Sequence, residues 1–177
     1  MRRVLLIASK TGYQTRAFGE AAERAGVELV FATDRCKQLD NPWRDGAIPV
    51  RFHDEAAFLE AIGAVARQRP FDGVLGVGDR PALFAALAAD ALGLRGHPPP
   101  AARLSGNKLE TRRCLASAGL PCPVFHDVAL DGAVDAAIGG IDFPCVVKPL
   151  VLSGSRGVIR ADDPDTLRAA VERVRRL

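Results

Sequence analysis

Five apolar residues, Val4-Leu5-Leu6-Ile7-Ala8, follow one another near the start of this chain with no polar residue between them. Unbroken apolarity of that length suits a strand covered on both faces. A strand with one wet face would alternate instead. Tyr13 to Ala25 then reads as a helix, with Phe18, Ala21, Ala22 and Ala25 at helical spacing as its inner face and Gly26 as its stop. Val27 to Ala32 is a second strand, the polar stretch Thr33 to Gly46 a loop broken by Asn41-Pro42, and Ala47 to Val50 a short third strand. Asp54 caps a helix over Glu55 to Arg67 with Phe58, Ile62 and Val65 inward, Gly73 to Val77 is a fourth strand, and Pro81 to Leu92 is a helix with proline in its first turn.

Repeated strand–helix units with short connections imply a doubly wound parallel sheet with right-handed crossovers. Ligands of such sheets sit beyond the carboxyl ends of the strands. Here those ends are Ser9-Lys10-Thr11-Gly12 and Gly76-Val77-Gly78-Asp79-Arg80. Neither is a dinucleotide fingerprint, since the second lacks a third glycine and no Walker lysine follows either turn. Lys10, Thr11, Gly12, Gly78 and Asp79 stand as candidate substrate-binding residues or as plain strand exits.

Composition narrows the class. Of the 177 residues, 48% are hydrophobic and 25% charged, as in a globular protein able to bury a core, and the net charge of +3 is too small for a nucleic-acid-binding face. Ser9-Lys10-Thr11 interrupts the first apolar run before a signal peptide develops, and no segment approaches membrane-spanning length. A cytoplasmic protein without nucleic-acid or membrane partners is expected. Cys36, Cys114, Cys122 and Cys145 lack CxxC spacing, and His53, His97 and His126 are scattered, so free thiols and surface imidazoles are expected rather than disulfides or a metal site. Trp43 is expected to anchor the long loop.

Gly96-His97-Pro98-Pro99-Pro100 marks a stiff connector, dividing the chain into residues 1–97 and 98–177. Beyond it, Asn107 to Ala118 reads as a helix with Leu109, Cys114 and Leu115 inward, ended by Gly119. Val124-Phe125 is a short edge-like strand, Asp131 to Ile138 a short helix, and Asp163-Pro164 opens a last helix through Arg176. Between them, Phe143-Pro144-Cys145-Val146-Val147 runs into Lys148, then through the small-residue loop Ser153-Gly154-Ser155-Arg156-Gly157 into Val158-Ile159. Strand, lysine, glycine loop and strand make a hairpin whose pliable tip can fold over an anion. The chain has four lysines against twenty arginines, so a lysine at this junction stands out from the ordinary surface charge. Lys108, in a first turn where the helix dipole disfavours a cation, is the second such residue.

Taken in order, Asn107-Lys108, then Ala118-Gly119-Leu120-Pro121-Cys122-Pro123, then Phe143 to Pro149 and Ser153 to Val158 resemble the ATP-grasp superfamily of carboxylate–amine or carboxylate–thiol ligases, which includes biotin carboxylase and the glycinamide ribonucleotide synthetases. Ala91 to His97 resembles the exit from the Rossmann-like domain of those proteins. The resemblance implies an α/β chain, a Rossmann-like parallel-sheet pre-ATP-grasp domain followed by the small first lobe of an ATP-grasp domain. It places Lys108 and Lys148 on ATP, and Ser153, Gly154, Ser155, Arg156 and Gly157 in the lid over its phosphates. Glycines there let backbone N–H groups approach phosphate oxygens, and Arg156 either adds a charged contact or points to solvent.

In that family ATP phosphorylates a carboxylate and a nucleophile displaces the phosphate, with Mg²⁺ bridging the phosphates. A second half, found in the family after this point, supplies the metal ligands and the adenine hinge. Asp162, Asp163 and Asp165 read as the cap and first turn of the last helix and not as a substitute. The expectation is a natural or artificial N-terminal fragment, inactive alone, with no catalytic or metal-binding residue of its own. ATP and a small carboxylate are its expected partners, with a second copy or a second ATP-grasp half. The alternatives are a non-catalytic metabolite- or partner-binding module and one half of a split ligase.

Overall fold

The computed structural model describes residues 1–9, 13–35, 45–130 and 134–177, which form two compact units, Met1–Gly106 and Asn107–Leu177. Lys10, Thr11, Gly12, Cys36 and Trp43 lie outside the described residues.

The first unit runs β1 (Arg2–Ala8), α1 (Tyr13–Ala25), β2 (Val27–Thr33), β3 (Ile48–Pro49), α2 (Glu55–Gln68), β4 (Gly73–Val77), α3 (Asp79–Ala91) and α4 (Pro99–Ser105). Its four strands lie in the order β3-β2-β1-β4, all parallel, with Leu5 opposite Val30 on one side and Val74 on the other. β1 is therefore central, which is why its side chains from Leu5 to Ala8 are all buried. The chain winds outward from β1 through β2 to β3, then returns to add β4 on the far side of β1. The winding reverses between β1 and β4, where such sheets bind ligands.

Leu5, Ile7 and Ala32 point to one face, where α2 contributes Phe58 and Ile62 and α3 contributes Phe84 and Ala88. The Phe84 ring meets Phe58 at 4.8 Å and Phe52 at 5.1 Å between centroids, both edge-on. The expected inner face of α2 is observed, and Asp54 caps it by accepting from the Ala57 N–H at 3.0 Å. α1 departs from expectation. Of its described side chains only Thr15 and Ala22 are buried, while Phe18, Ala21 and Ala25 are exposed. Helical spacing sets which residues share a face, and it cannot say how closely the face meets the sheet.

Two further expectations are corrected near the prolines. α3 opens at Asp79, two residues before Pro81. The segment read as a connector holds α4, which starts at Pro99, because proline lacks only an N–H that the first turn leaves unbonded anyway. Arg103 of α4 forks onto the Glu55 carboxylate of α2 at 2.8 and 2.9 Å.

The amino end of the sheet is closed by charge. Glu28 on β2 accepts from Arg3 on β1 at 3.2 Å and from Arg69, just past α2, at 3.0 Å. The Arg3 guanidinium also lies 4.4 Å from the centre of the Phe71 ring, and its backbone N–H donates to Asp72 at 2.7 Å.

The second unit runs α5 (Lys108–Ser117), α6 (Val134–Ile138), β5 (Cys145–Val147), β6 (Ile159–Ala161) and α7 (Pro164–Arg175). β5 and β6 pair antiparallel with Val147 opposite Ile159, as the hairpin reading requires. One face of this pair carries Cys145, Val147 and Ala161 onto Leu167 and Val171 of α7 and Val134 and Ile138 of α6. α7 starts with a capping box: Asp163 accepts from the Thr166 N–H at 2.8 Å, and the Thr166 hydroxyl accepts from the Asp163 N–H at 3.1 Å. Val124 and Phe125 form no strand; prolines at 121 and 123 remove backbone donors just before them. Cys114 is exposed rather than inward, since Leu109 is the one buried side chain of α5.

Candidate functional site

Asn107 begins the site. Its side chain accepts from the N–H groups of Leu109 at 3.0 Å and Glu110 at 3.2 Å, which starts α5 at Lys108. The Lys108 N–H donates to the Leu150 carbonyl at 3.1 Å. The Lys108 ammonium reaches the same carbonyl at 3.4 Å and that of Leu152 at 2.6 Å. The helix start is thus bonded to the segment that leads from Lys148 into the glycine loop. Lys148 itself follows the last residue of β5 and is exposed, with no hydrogen-bond or carboxylate partner among the described residues.

Two overlapping turns shape the loop. The Arg156 N–H donates to the Ser153 carbonyl and the Val158 N–H to that of Ser155, each at 3.2 Å. Gly154 and Ser155 both have positive φ, 61° and 58°, the pattern of a type I′ turn, and Gly157 follows at 71°. Nothing lies within 4 Å of where a Gly154 Cβ would stand, so that backbone is open to an approaching ligand. The N–H groups of Gly154, Ser155 and Gly157 have no partner among the described residues. Successive free amides in a left-handed turn are the geometry that receives an anion.

The charges divide in the same way. Arg113, Arg160, Arg168, Arg175 and Arg176 all pair with carboxylates. Lys108, Lys148 and Arg156 have no acidic partner among the described residues, and neither do Arg112, which donates to the Cys122 sulfur, and Arg173. Burial, with the Asp162 charge second, pushes the Cys145 thiol up, and its side chain packs against the core of the second unit. The Thr166 N–H, followed by the Thr166 hydroxyl, holds the Asp163 carboxyl below its ordinary range, as a helix cap. Asp162 pairs with Arg160 at 2.6 Å and Asp165 with Arg168 at 2.7 Å. No group of three or more His, Cys, Asp or Glu side chains among the described residues could hold a metal ion.

In the first unit, Gly78 caps α3 with φ 106°, a value that glycine alone adopts readily, and Asp79 is exposed in the first helical turn. Gly76 serves packing: a Cβ there would stand 2.7 Å from the Pro81 carbonyl oxygen. His53, His97 and His126 are exposed. The carbonyls of Leu150 and Leu152 escape sequence reading, because a backbone acceptor carries no residue signature.

Fold and site together define a class: a doubly wound parallel α/β unit followed by a lysine- and glycine-bearing antiparallel hairpin with helices on one face. Residues 19–96 match the family model described as the ATP-grasp N-terminal domain. The ATP-grasp enzyme fsqD of Aspergillus fumigatus is 27% identical over 175 residues, which cover 89% of this chain and 28% of that protein. The L-amino acid ligase of Bacillus licheniformis superposes with a TM-score of 0.76 at 29% identity, covering 99% of this chain and 42% of the ligase. The ADP complex of purK, N5-carboxyaminoimidazole ribonucleotide synthetase, has the same fold, with a TM-score of 0.71 at 16% identity over 97% of this chain and 44% of that one. This chain therefore resembles the N-terminal region of ATP-grasp ligases and spans less than half the length of these proteins. No helix among the described residues is long and apolar enough to cross a membrane.

Proposed function

We propose that residues 107–177 provide the nucleotide-binding lobe of an ATP-grasp carboxylate–amine or carboxylate–thiol ligase. Lys108, Lys148 and the loop Ser153, Gly154, Ser155, Arg156 and Gly157 are its contacts to ATP. The observation that carries this reading is the bonding of the Lys108 helix start to the stem of the loop, at Leu150 and Leu152. It ties an ammonium with no acidic partner among the described residues to a loop with free amides, and positive charge with free amides is what a polyphosphate needs. The ADP bound to purK, a protein of the same fold, agrees with it.

In the whole protein, the γ-phosphoryl group passes to a carboxylate and a nucleophile then displaces phosphate from the acyl phosphate. This chain's part is to hold and neutralise the polyphosphate. Mg²⁺ supplies charge neutralisation in such chemistry. The described residues offer no cluster for it, so its ligands are proposed to come from elsewhere in the whole protein. Gly78 and Asp79, with Lys10, Thr11 and Gly12, are proposed to meet the second substrate at the carboxyl ends of the strands. Alone, these 177 residues are proposed not to turn over.

The test is calorimetric titration of the chain with a non-hydrolysable ATP analogue, beside Lys148→Ala. Weak binding that falls at least tenfold in the variant is expected, the worth of one charged contact. Equal affinity in both would remove Lys148 from the site. Mg-dependent ADP release by the chain alone would overturn the proposed inactivity.

A non-catalytic, partner-binding module is the second reading, favoured by exposed apolar residues of the second unit. Val124, Val146 and Val151 are 80%, 52% and 67% accessible. Self-association by sedimentation, without nucleotide affinity, would favour it.

A further inference from the structure

Residues 148–158 belong to no strand, so the ladder between β5 and β6 does not set the attitude of the loop they contain. The two turns at 153–158 give the loop its internal shape and leave its stem to be fixed by something else. That something is Lys108. Its N–H and its ammonium converge on the Leu150 carbonyl, and the ammonium makes its 2.6 Å bond to Leu152, the residue just before the loop.

An ammonium has three N–H donors. Two are engaged with the stem carbonyls, which leaves one donor and the whole charge for an anion. The arrangement has a cause in the sequence: Asn107 fixes the start of α5, so the lysine backbone is held while its side chain spans to the stem.

We propose that Lys108 is a positioning residue. Its ammonium braces the stem of the glycine loop before any nucleotide arrives, and its remaining donor ties phosphate binding to loop position. The second half of this proposal rests on the nucleotide reading above; the first does not. The consequence is linkage. Whatever strengthens the hold of Lys108 on the stem presets the loop, and a phosphate drawing on the same ammonium shifts that balance.

The experiment is amide hydrogen exchange on the full 177-residue chain, with and without ADP, for wild type, Lys108→Met and Lys148→Met. Without ADP, Lys108→Met is expected to speed exchange at the two bonded loop amides, those of Arg156 and Val158, by about tenfold, the factor of one charge-assisted hydrogen bond. β1 and β2 should keep their wild-type rates, and Lys148→Met should leave the loop unchanged. Loop exchange within twofold of wild type in Lys108→Met overturns the brace, even if ADP affinity falls, because a lysine that only touches nucleotide has no effect on the empty chain.

Should Lys108→Met also lose protection in β5 and β6, Lys108→Arg takes its place. A loop within twofold of wild type then supports a donor-based brace, and one opened tenfold overturns it. If ADP alters exchange in none of the proteins, the nucleotide reading fails and the brace is still decided by the empty chain.

Discussion

Gly157 lies so close to Pro149 that a Cβ on the glycine would stand 2.7 Å from the proline Cγ and 3.1 Å from its Cδ. The return of the glycine loop is thereby seated on its own stem, one residue after Lys148. Gly157 also has φ 71°, in the left-handed region.

Gly157→Ala combines both penalties, a left-handed residue at about 1–2 kcal/mol and overpacking at about 1–3 kcal/mol. Gly119→Ala has a similar φ of 68° and open space around it, so it bears only the conformational cost. Urea unfolding is expected to rank Gly157→Ala as the more destabilising, and ADP affinity to fall in that variant alone.

Gly76 and Gly73 make a second pair, on β4. A Cβ at Gly76 would be 2.7 Å from the Pro81 carbonyl and 3.0 Å from the Ala82 Cα, whereas at Gly73 the nearest atom is a Val4 methyl at 3.8 Å. Gly76→Ala must push α3 off the sheet and should cost about 1–3 kcal/mol by overpacking. Gly73→Ala should lie within about 0.5 kcal/mol of wild type. Thermal unfolding of both variants checks the contrast.

Phe58 is 1% accessible and packs edge-on against Phe84. Phe58→Ala removes that ring from the largest cluster of the first unit and should cost about 3–5 kcal/mol. Denaturant unfolding followed through first-unit probes is the measurement, with the m-value showing whether the transition stays cooperative.

Acid should loosen α7. The Asp163 carboxyl is held below its ordinary value near 3.8, mainly by the Thr166 N–H. A lowered folded-state value means the cap's contribution is fully present above the ordinary carboxylate range and is lost as pH falls through the lowered value. Asp163→Asn keeps a capping oxygen that does not titrate. Its melting temperature is expected to fall less between pH 5 and pH 2 than that of wild type.

The alternation of strand and helix was legible because a central parallel strand leaves an unbroken apolar signature, as Leu5 to Ala8 do. The hairpin was legible because glycine and lysine sit at its tip, where neither serves a core. What escaped depends on tertiary neighbours. Pro98 to Pro100 looked like a linker, and only packing against α3 makes Pro99 the first residue of a helix. Val124-Phe125 had strand propensity and no partner. Phe18 had the right spacing and is 37% accessible all the same. Lys108 was picked out as a cation in an unfavourable place, while its carbonyl partners, 42 and 44 residues away, leave no trace in composition.

Glu28, gripped by Arg3 and Arg69, locks three separate stretches of chain together at one rim of the first sheet. Charge at that rim is consumed by architecture, while Gly78 and Asp79 occupy the opposite rim. Under the proposed function, changes at the Gly78 and Asp79 edge would retune the ligand without loosening the scaffold, whereas replacing Glu28 would unfasten the frame.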